Sequence, residues 1–191
     1  MNTPIPHLHF DFVDPHSWFV TRLLEAEEAL TTPTIVWSGF ETRPPPTAMV
    51  SRDDPELHDL WSEAHAIAAE LGLTFSPPPL VPWTRKAHEL ALYAEGSGVG
   101  PLLRRSIFEA YFIEGLDIGR IDVLVKLARS MGLDPTETKA VLDVDRFQAD
   151  VIQRQAEARQ RGITRAPVLE FGEGRLTGFH NAAVLRTFLS T

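Results

Sequence analysis

The hydrophobic pattern changes period twice within the first forty residues. "HLHFDFV", residues 7–13, has the aromatic and β-branched content of a strand, and its His7, His9 and Asp11 alternate onto one face. "SWFVTRLLEAEEAL", 17–30, switches to helical spacing and brings Trp18, Leu23, Leu24 and Leu30 near one side. "PTIVWSGF", 33–40, is a short apolar run bounded by Pro and Gly, which predicts a second strand. Strand, helix and strand in this order make a βαβ unit with parallel strands.

"TRPPPTAMVSRDDP" then breaks the periodicity. Helical patterns follow at about 56–72, 84–95, 99–114, 120–132, 135–141 and 144–161; "LGLTFSPPPLVP" reads as a loop and "GLDP" as a helix stop followed by a fresh start. "APVLEFGEGRLTGF" contains two short runs, 168–171 and 175–177, around the turn signal Gly172-Glu173-Gly174, a β-hairpin. A last helix, about 180–189, directs Val184, Leu185 and Phe188 at the sheet. The order β-α-β, a helical insertion of roughly a hundred residues, then β-β-α predicts an α/β chain with the thioredoxin fold. Residues 1–52 and 163–191 would form its two parts, with 53–162 as the inserted helical subdomain.

Composition narrows the function. With 43% apolar and 23% charged residues the chain is ordinary for a globular protein, and no apolar run approaches the ~20 residues of a membrane span, so no membrane partner is expected. A formal net charge of −8 argues against nucleic acid, whose affinity comes mainly from Lys and Arg neutralising phosphates. The opening "MNTPIPHLHF" lacks a basic segment followed by an apolar one, so the expected localisation is cytoplasmic. There is no cysteine, which removes disulfides, thiolate catalysis and Cys-ligated metal together.

The residues carry a family likeness. The chain resembles the DsbA-like thioredoxin superfamily, and most closely its cytoplasmic FrnE-type branch of dithiol–disulfide isomerases. "FDFVDPHSWF" stands where that branch has a strand leading to Cys-Pro-X-Cys; "GFETRP" resembles the exit of the second strand and "TRKAHELALYA" the Thr-x-x-Ala-His helix. "IFEAYFIEGLDIGRIDVLVKLARSMGLD" and "GITRAPVLEF" also match, the latter as the cis-proline segment. Related branches, 2-hydroxychromene-2-carboxylate isomerase and kappa-class glutathione transferase, have Ser-Pro-Tyr-Ser at the junction. Asp14-Pro15-His16-Ser17 matches neither motif. The resemblance sets Asp14 at the first Cys or the catalytic Ser, and Ser17 at the second. It implies protein disulfide oxidoreductase or isomerase chemistry, which a chain without thiols cannot carry out.

The junction has two readings. An Asp-Pro pair before a helix is a common N-cap with proline at the first helical position. The same carboxylate could serve as general base or acceptor for a bound substrate, with His16 or Ser17 as donor. An ionised Asp14 would repel a glutathione thiolate, although the related branches bind glutathione. Those branches grip the γ-glutamyl end with a Gly-x-Asp-Arg segment, where this chain has Gly178-Phe179-His180-Asn181. By resemblance Ala166-Pro167 is a cis bond whose preceding residue presents backbone groups to a ligand; on physics alone it is equally a tight turn. His88 faces the junction by family analogy, while a lone helical histidine is otherwise a packed or solvated residue. Tyr111 and Phe112 read as core. His7, His9 and Asp11 could ligate a metal from one strand face, but exposed histidines at a strand start are the simpler reading, and no metal is expected.

Three function classes remain open. One is a cysteine-independent enzyme acting on a small molecule, in the manner of a glutathione-dependent isomerase or transferase, with Asp14, His16 and Ser17 as catalytic residues and Pro15, His88, Ala166, Pro167, Phe179 and His180 around the substrate. It needs no cofactor unless glutathione serves. Another is a non-catalytic protein that holds a peptide or small ligand in that cleft, and the third is a structural relic stabilised as a homodimer.

Overall fold

The computed structural model describes residues 4–27 and 35–190, which fall into two compact units: Met1–Thr42 with Arg154–Thr191, and Arg43–Gln153. Leu30 and the start of the expected 33–40 strand lie outside the described residues.

The first unit is built on a four-stranded sheet ordered β2-β1-β5-β6, from β1 (His7–Phe10), β2 (Val36–Gly39), β5 (Val168–Phe171) and β6 (Gly174–Thr177). β1 pairs parallel with β2 and antiparallel with β5, and β5 antiparallel with β6. This is the α/β thioredoxin arrangement that the element order implies. α1 (Pro15–Glu27) supplies the crossover between the parallel strands, and α8 (Ala182–Leu189) closes the unit. The alternation of β1 sorts its residues onto two faces. Leu8 and Phe10, both at most 2% exposed, share a face with Leu169 and Phe171, and the Phe188 ring of α8 meets Phe171 edge-on at 6.2 Å. The opposite face is covered by the end of α7 (Gln148–Gln160), where Ala158 joins Phe40, Ile163, Ala166 and Val168 in one buried cluster.

β1 ends at Phe10, three residues before the expected 7–13 run does. The reason is Asp11: its Oδ2 accepts from both the N–H and the hydroxyl of Thr42 at 2.7 Å, and its own N–H donates to Ser17 Oγ at 3.2 Å. Side chains thereby satisfy what a strand partner otherwise would. The 168–171 and 175–177 hairpin forms as expected, with Gly172 at φ +57° in its two-residue loop. Val184 does not pack as expected; it is 40% exposed, and Leu185 at 2% is the buried residue of α8.

The second unit contains α2 (His58–Glu70), α3 (Arg85–Gly96), α4 (Gly100–Phe112), α5 (Ile121–Ser130), α6 (Pro135–Asp143) and the start of α7. Leu90, Leu103, Ile107, Phe108, Tyr111, Phe112 and Leu124 are fully buried, so Tyr111 and Phe112 are core as read. Lys86 of α3 donates to the Leu142 carbonyl at 2.5 Å and pairs with Asp145 and with the buried Glu89 at 2.9 Å, while Glu89 accepts from Phe147 N–H at 3.3 Å. This fastens the α6–α7 turn to α3. The two stretches read as loops each contribute a two-residue strand, β3 (Val50–Ser51) and β4 (Leu80–Val81), paired antiparallel. Strands so short carry no period for a sequence pattern to show. Among the described residues no helix is long and apolar enough to cross a membrane.

Candidate active site at the start of the first helix

β1 runs through a tight turn, Asp14 N–H to Asp11 carbonyl at 3.2 Å, straight into α1. Asp14 caps that helix: its Oδ2 accepts from Ser17 N–H at 2.6 Å, and Pro15 fills the first helical position, where the missing N–H is no loss. The cap is unusual in being buried, Asp14 being 8% exposed and Ser17 fully enclosed. Burial pushes the Asp14 carboxyl up to about 7, against the Ser17 hydroxyl and N–H that stabilise its anion; the nearby Asp11 charge adds to the rise. The positive end of α1 works on the side of Ser17, yet loss of hydration outweighs both. A carboxyl at this value is half ionised near neutrality, as an acid–base group needs to be.

The register brings β5 to the same place. His9 pairs with Val168, so Pro167, preceded by a cis Ala166-Pro167 bond, stands at the level of Phe10 where β1 leaves the sheet. The Pro167 carbonyl accepts from Gly178 N–H at 3.0 Å, and the next residue, Phe179, lies 6.4 Å from the His16 ring and 6.0 Å from the Phe19 ring. Asp14, Pro15, His16, Ser17, Ala166, Pro167 and Phe179 therefore gather at one end of the first unit. His180 follows, half-buried, and Asn181 caps α8 through Val184 N–H at 3.1 Å. His88 belongs to the second unit, where it is 2% exposed on α3.

The sequence profile of the DSBA-like thioredoxin domain matches residues 7–190. The chain belongs to the DsbA-like thioredoxin family. YwbO of Bacillus subtilis (strain 168) is 30% identical over 151 residues, which span 75% of this chain and 74% of that protein. A probable DsbA oxidoreductase from Streptomyces coelicolor superposes with a TM-score of 0.84 at 21% identity, covering 98% of this chain and 88% of its own. A 2-hydroxychromene-2-carboxylate isomerase superposes with a TM-score of 0.78 at 17% identity, over 97% and 93% of the two chains. At those identities the two structures speak for the fold alone.

This DsbA-like chain contains no cysteine. In the Gly178–Asn181 stretch Phe179 packs against the His16 and Phe19 rings and Asn181 serves as the cap of α8.

Sequence reading missed two parts of this unit. Asp11 is buried and anchors the exit of β2 through Thr42, a role that needs a partner thirty-one positions away. His7 and His9 are not exposed strand-start residues: His9 is wholly buried and His7 half-buried, and Glu170 of β5 stands beside them. The only sequence signal for that grouping is the polar face of β1 itself.

Proposed function

We propose that the protein is a cysteine-independent acid–base enzyme of the isomerase type, acting on a small molecule at the Asp14 end of α1. The reading is supported by one structural feature, the enclosed Asp14 carboxyl at the start of α1, which burial pushes up to about 7 and which the sequence resemblance sets at the family's first redox residue. In its ionised form Asp14 takes a proton from a substrate carbon or hydroxyl, and the same proton returns to another atom of the substrate. The net change is an isomerisation that consumes no oxidant or thiol. Ser17 holds the carboxyl through its N–H, and burial keeps water from competing for the proton. His16 and Phe179 form one wall for the substrate, and the Ala166-Pro167 segment offers backbone groups on another. FrnE-type membership and a cytoplasmic setting accompany this reading, supported by the sequence resemblance and the complete lack of cysteine.

The test is turnover of 2-hydroxychromene-2-carboxylate and simpler enolisable acids, with and without glutathione, by the wild-type chain and by Asp14→Asn. The reading expects a rate that rises through about pH 7 and falls at least about a hundredfold in the variant. A carbon NMR titration placing the Asp14 carboxyl in the ordinary range would sink it, whatever substrates were tried. The capping geometry supports a second reading, a non-catalytic ligand-binding protein, in which Asp14→Asn keeps the affinity for ligand because Asn caps as well as Asp.

A further inference from the structure

At the opposite end of β1 lies a polar cluster that the proposed chemistry does not use. His7 and His9 leave the same face of the strand with their rings stacked, centroids 4.3 Å apart, and the pairing of His7 with Glu170 sets that carboxylate beside them. One potential ligand atom from each of the three lies within 4.8 Å of the others. The hydrogen bonding among them cannot be completed. His9 Nε2 is 3.0 Å from Glu170 Oε2 and also 3.0 Å from Arg161 Nη2. Protonated, that nitrogen satisfies the carboxylate but meets a guanidinium N–H; unprotonated, it accepts from Arg161 but turns its lone pair on the carboxylate. His7 Nε2 and His9 Nδ1 are buried with no hydrogen-bond partner among the described residues, although buried polar atoms are ordinarily paired.

We propose that His7, His9 and Glu170 bind a divalent d-block cation of the zinc class, through His7 Nε2, His9 Nε2 and a Glu170 oxygen, and that Arg161 holds the place in the metal-free chain. Two imidazoles and one carboxylate are a donor set suited to such ions and unlike the all-oxygen shells of calcium or magnesium. Burial disfavours the charged form of both imidazoles. The carboxylate has the outer contact that orients a metal ligand: Arg175 donates to Glu170 Oε1 at 2.8 Å and is itself fixed to the Arg161 carbonyl at 3.0 Å. Ligands on zinc at ~2 Å sit roughly 3.3 Å apart in a tetrahedron, so from separations within 4.8 Å the half-buried His7 must draw in by at most ~1.5 Å. The chief opposing effect is the Arg161 charge, 3.4 Å from Glu170 Oε2. Its side chain is 46% exposed, so the guanidinium can swing into water when a dication takes over its carboxylate.

This proposal does not depend on the reading of Asp14. Zinc chloride is titrated into the whole chain by calorimetry, with circular dichroism confirming the fold of each variant. His7→Gln and Glu170→Gln are chosen over a change at the fully buried His9, and His58→Gln, on an exposed side chain, is the control for binding elsewhere among the seven histidines. The expected result is one zinc per chain, bound at least about tenfold more weakly by the first two variants, unchanged by the control, and several-fold more tightly by Arg161→Gln. Absence of saturable uptake, or equal affinity in His7→Gln and Glu170→Gln, overturns the site. Weaker binding by Arg161→Gln overturns the displaced-cation arrangement.

Discussion

Asp14→Asn should make the protein more stable, and increasingly so as the pH rises. Asn is as good an N-cap as Asp, so the bond from Ser17 N–H survives the change. What disappears is the ionisation of a buried carboxyl. The sign follows from proton binding: between the unfolded value near 3.8 and the folded value of about 7, the native chain holds a proton that the unfolded chain has lost. Wild-type stability is therefore favoured at the acid side of that window and falls as pH climbs through it. Linkage puts the cost at ~2 kcal/mol near pH 5 and ~4 kcal/mol near pH 8, and the variant escapes it. The difference in unfolding free energy between variant and wild type should grow by ~2–3 kcal/mol over that range, because groups common to both proteins cancel. Urea unfolding followed by tryptophan fluorescence at several pH values measures it directly. A difference that does not change with pH, or a wild type that is the more stable protein near pH 8, would show that Asp14 has an ordinary carboxyl value and is only a cap.

Three further outcomes are expected. Asp11→Asn removes the negative charge that helps raise Asp14, so the midpoint of the Asp14 titration should move to lower pH in a carbon NMR experiment; an upward movement would refute the coupling. The double change Asp14→Cys, Ser17→Cys places thiols three positions apart across the first turn of α1, and should yield an intramolecular disulfide and dithiol activity in an insulin-reduction assay where the thiol-free parent is inactive; a folded variant whose thiols both stay free to alkylation under oxidising conditions would refute the assignment of the two positions. Gly174→Ala should cost on the order of 1–2 kcal/mol, because a Cβ there would lie 2.7 Å from the Phe188 ring that seats α8 on the sheet, and an unchanged urea midpoint would show that the ring moves aside freely.

Most of the first unit was legible because its elements announce themselves locally. Strand alternation in β1, the Gly172 turn and the helical spacing of α1 each follow from neighbours in sequence, and together they fix the order of a thioredoxin fold. What stayed hidden depends on partners far along the chain. Asp11 looked like one more residue of the strand, yet Thr42 draws it out of the ladder. The pairing of β3 with β4 joins two segments that separately look structureless. His7 and His9 were visible as a pair, but Asp11, their neighbour on the face, is not their companion; Glu170 is, and only the β1–β5 register puts it there.

In the proposed function Asp14 serves two roles with opposed demands. A cap must offer a lone pair to the helix at all times, whereas an acid–base group must gain and lose a proton. A carboxyl can do both, because its protonated form still has acceptor capacity on the oxygen turned to the Ser17 N–H. Titration therefore need not unseat the start of α1. A thiolate at the same position depends on its charge to use the helix terminus, and Asn could cap but not transfer the proton. Under the proposed function, Asp is thus the residue that would keep this turn intact through a cycle of proton transfer. Burial supplies the rest, since the same carboxyl in water would stay ionised at neutral pH and have little tendency to take a proton from a substrate.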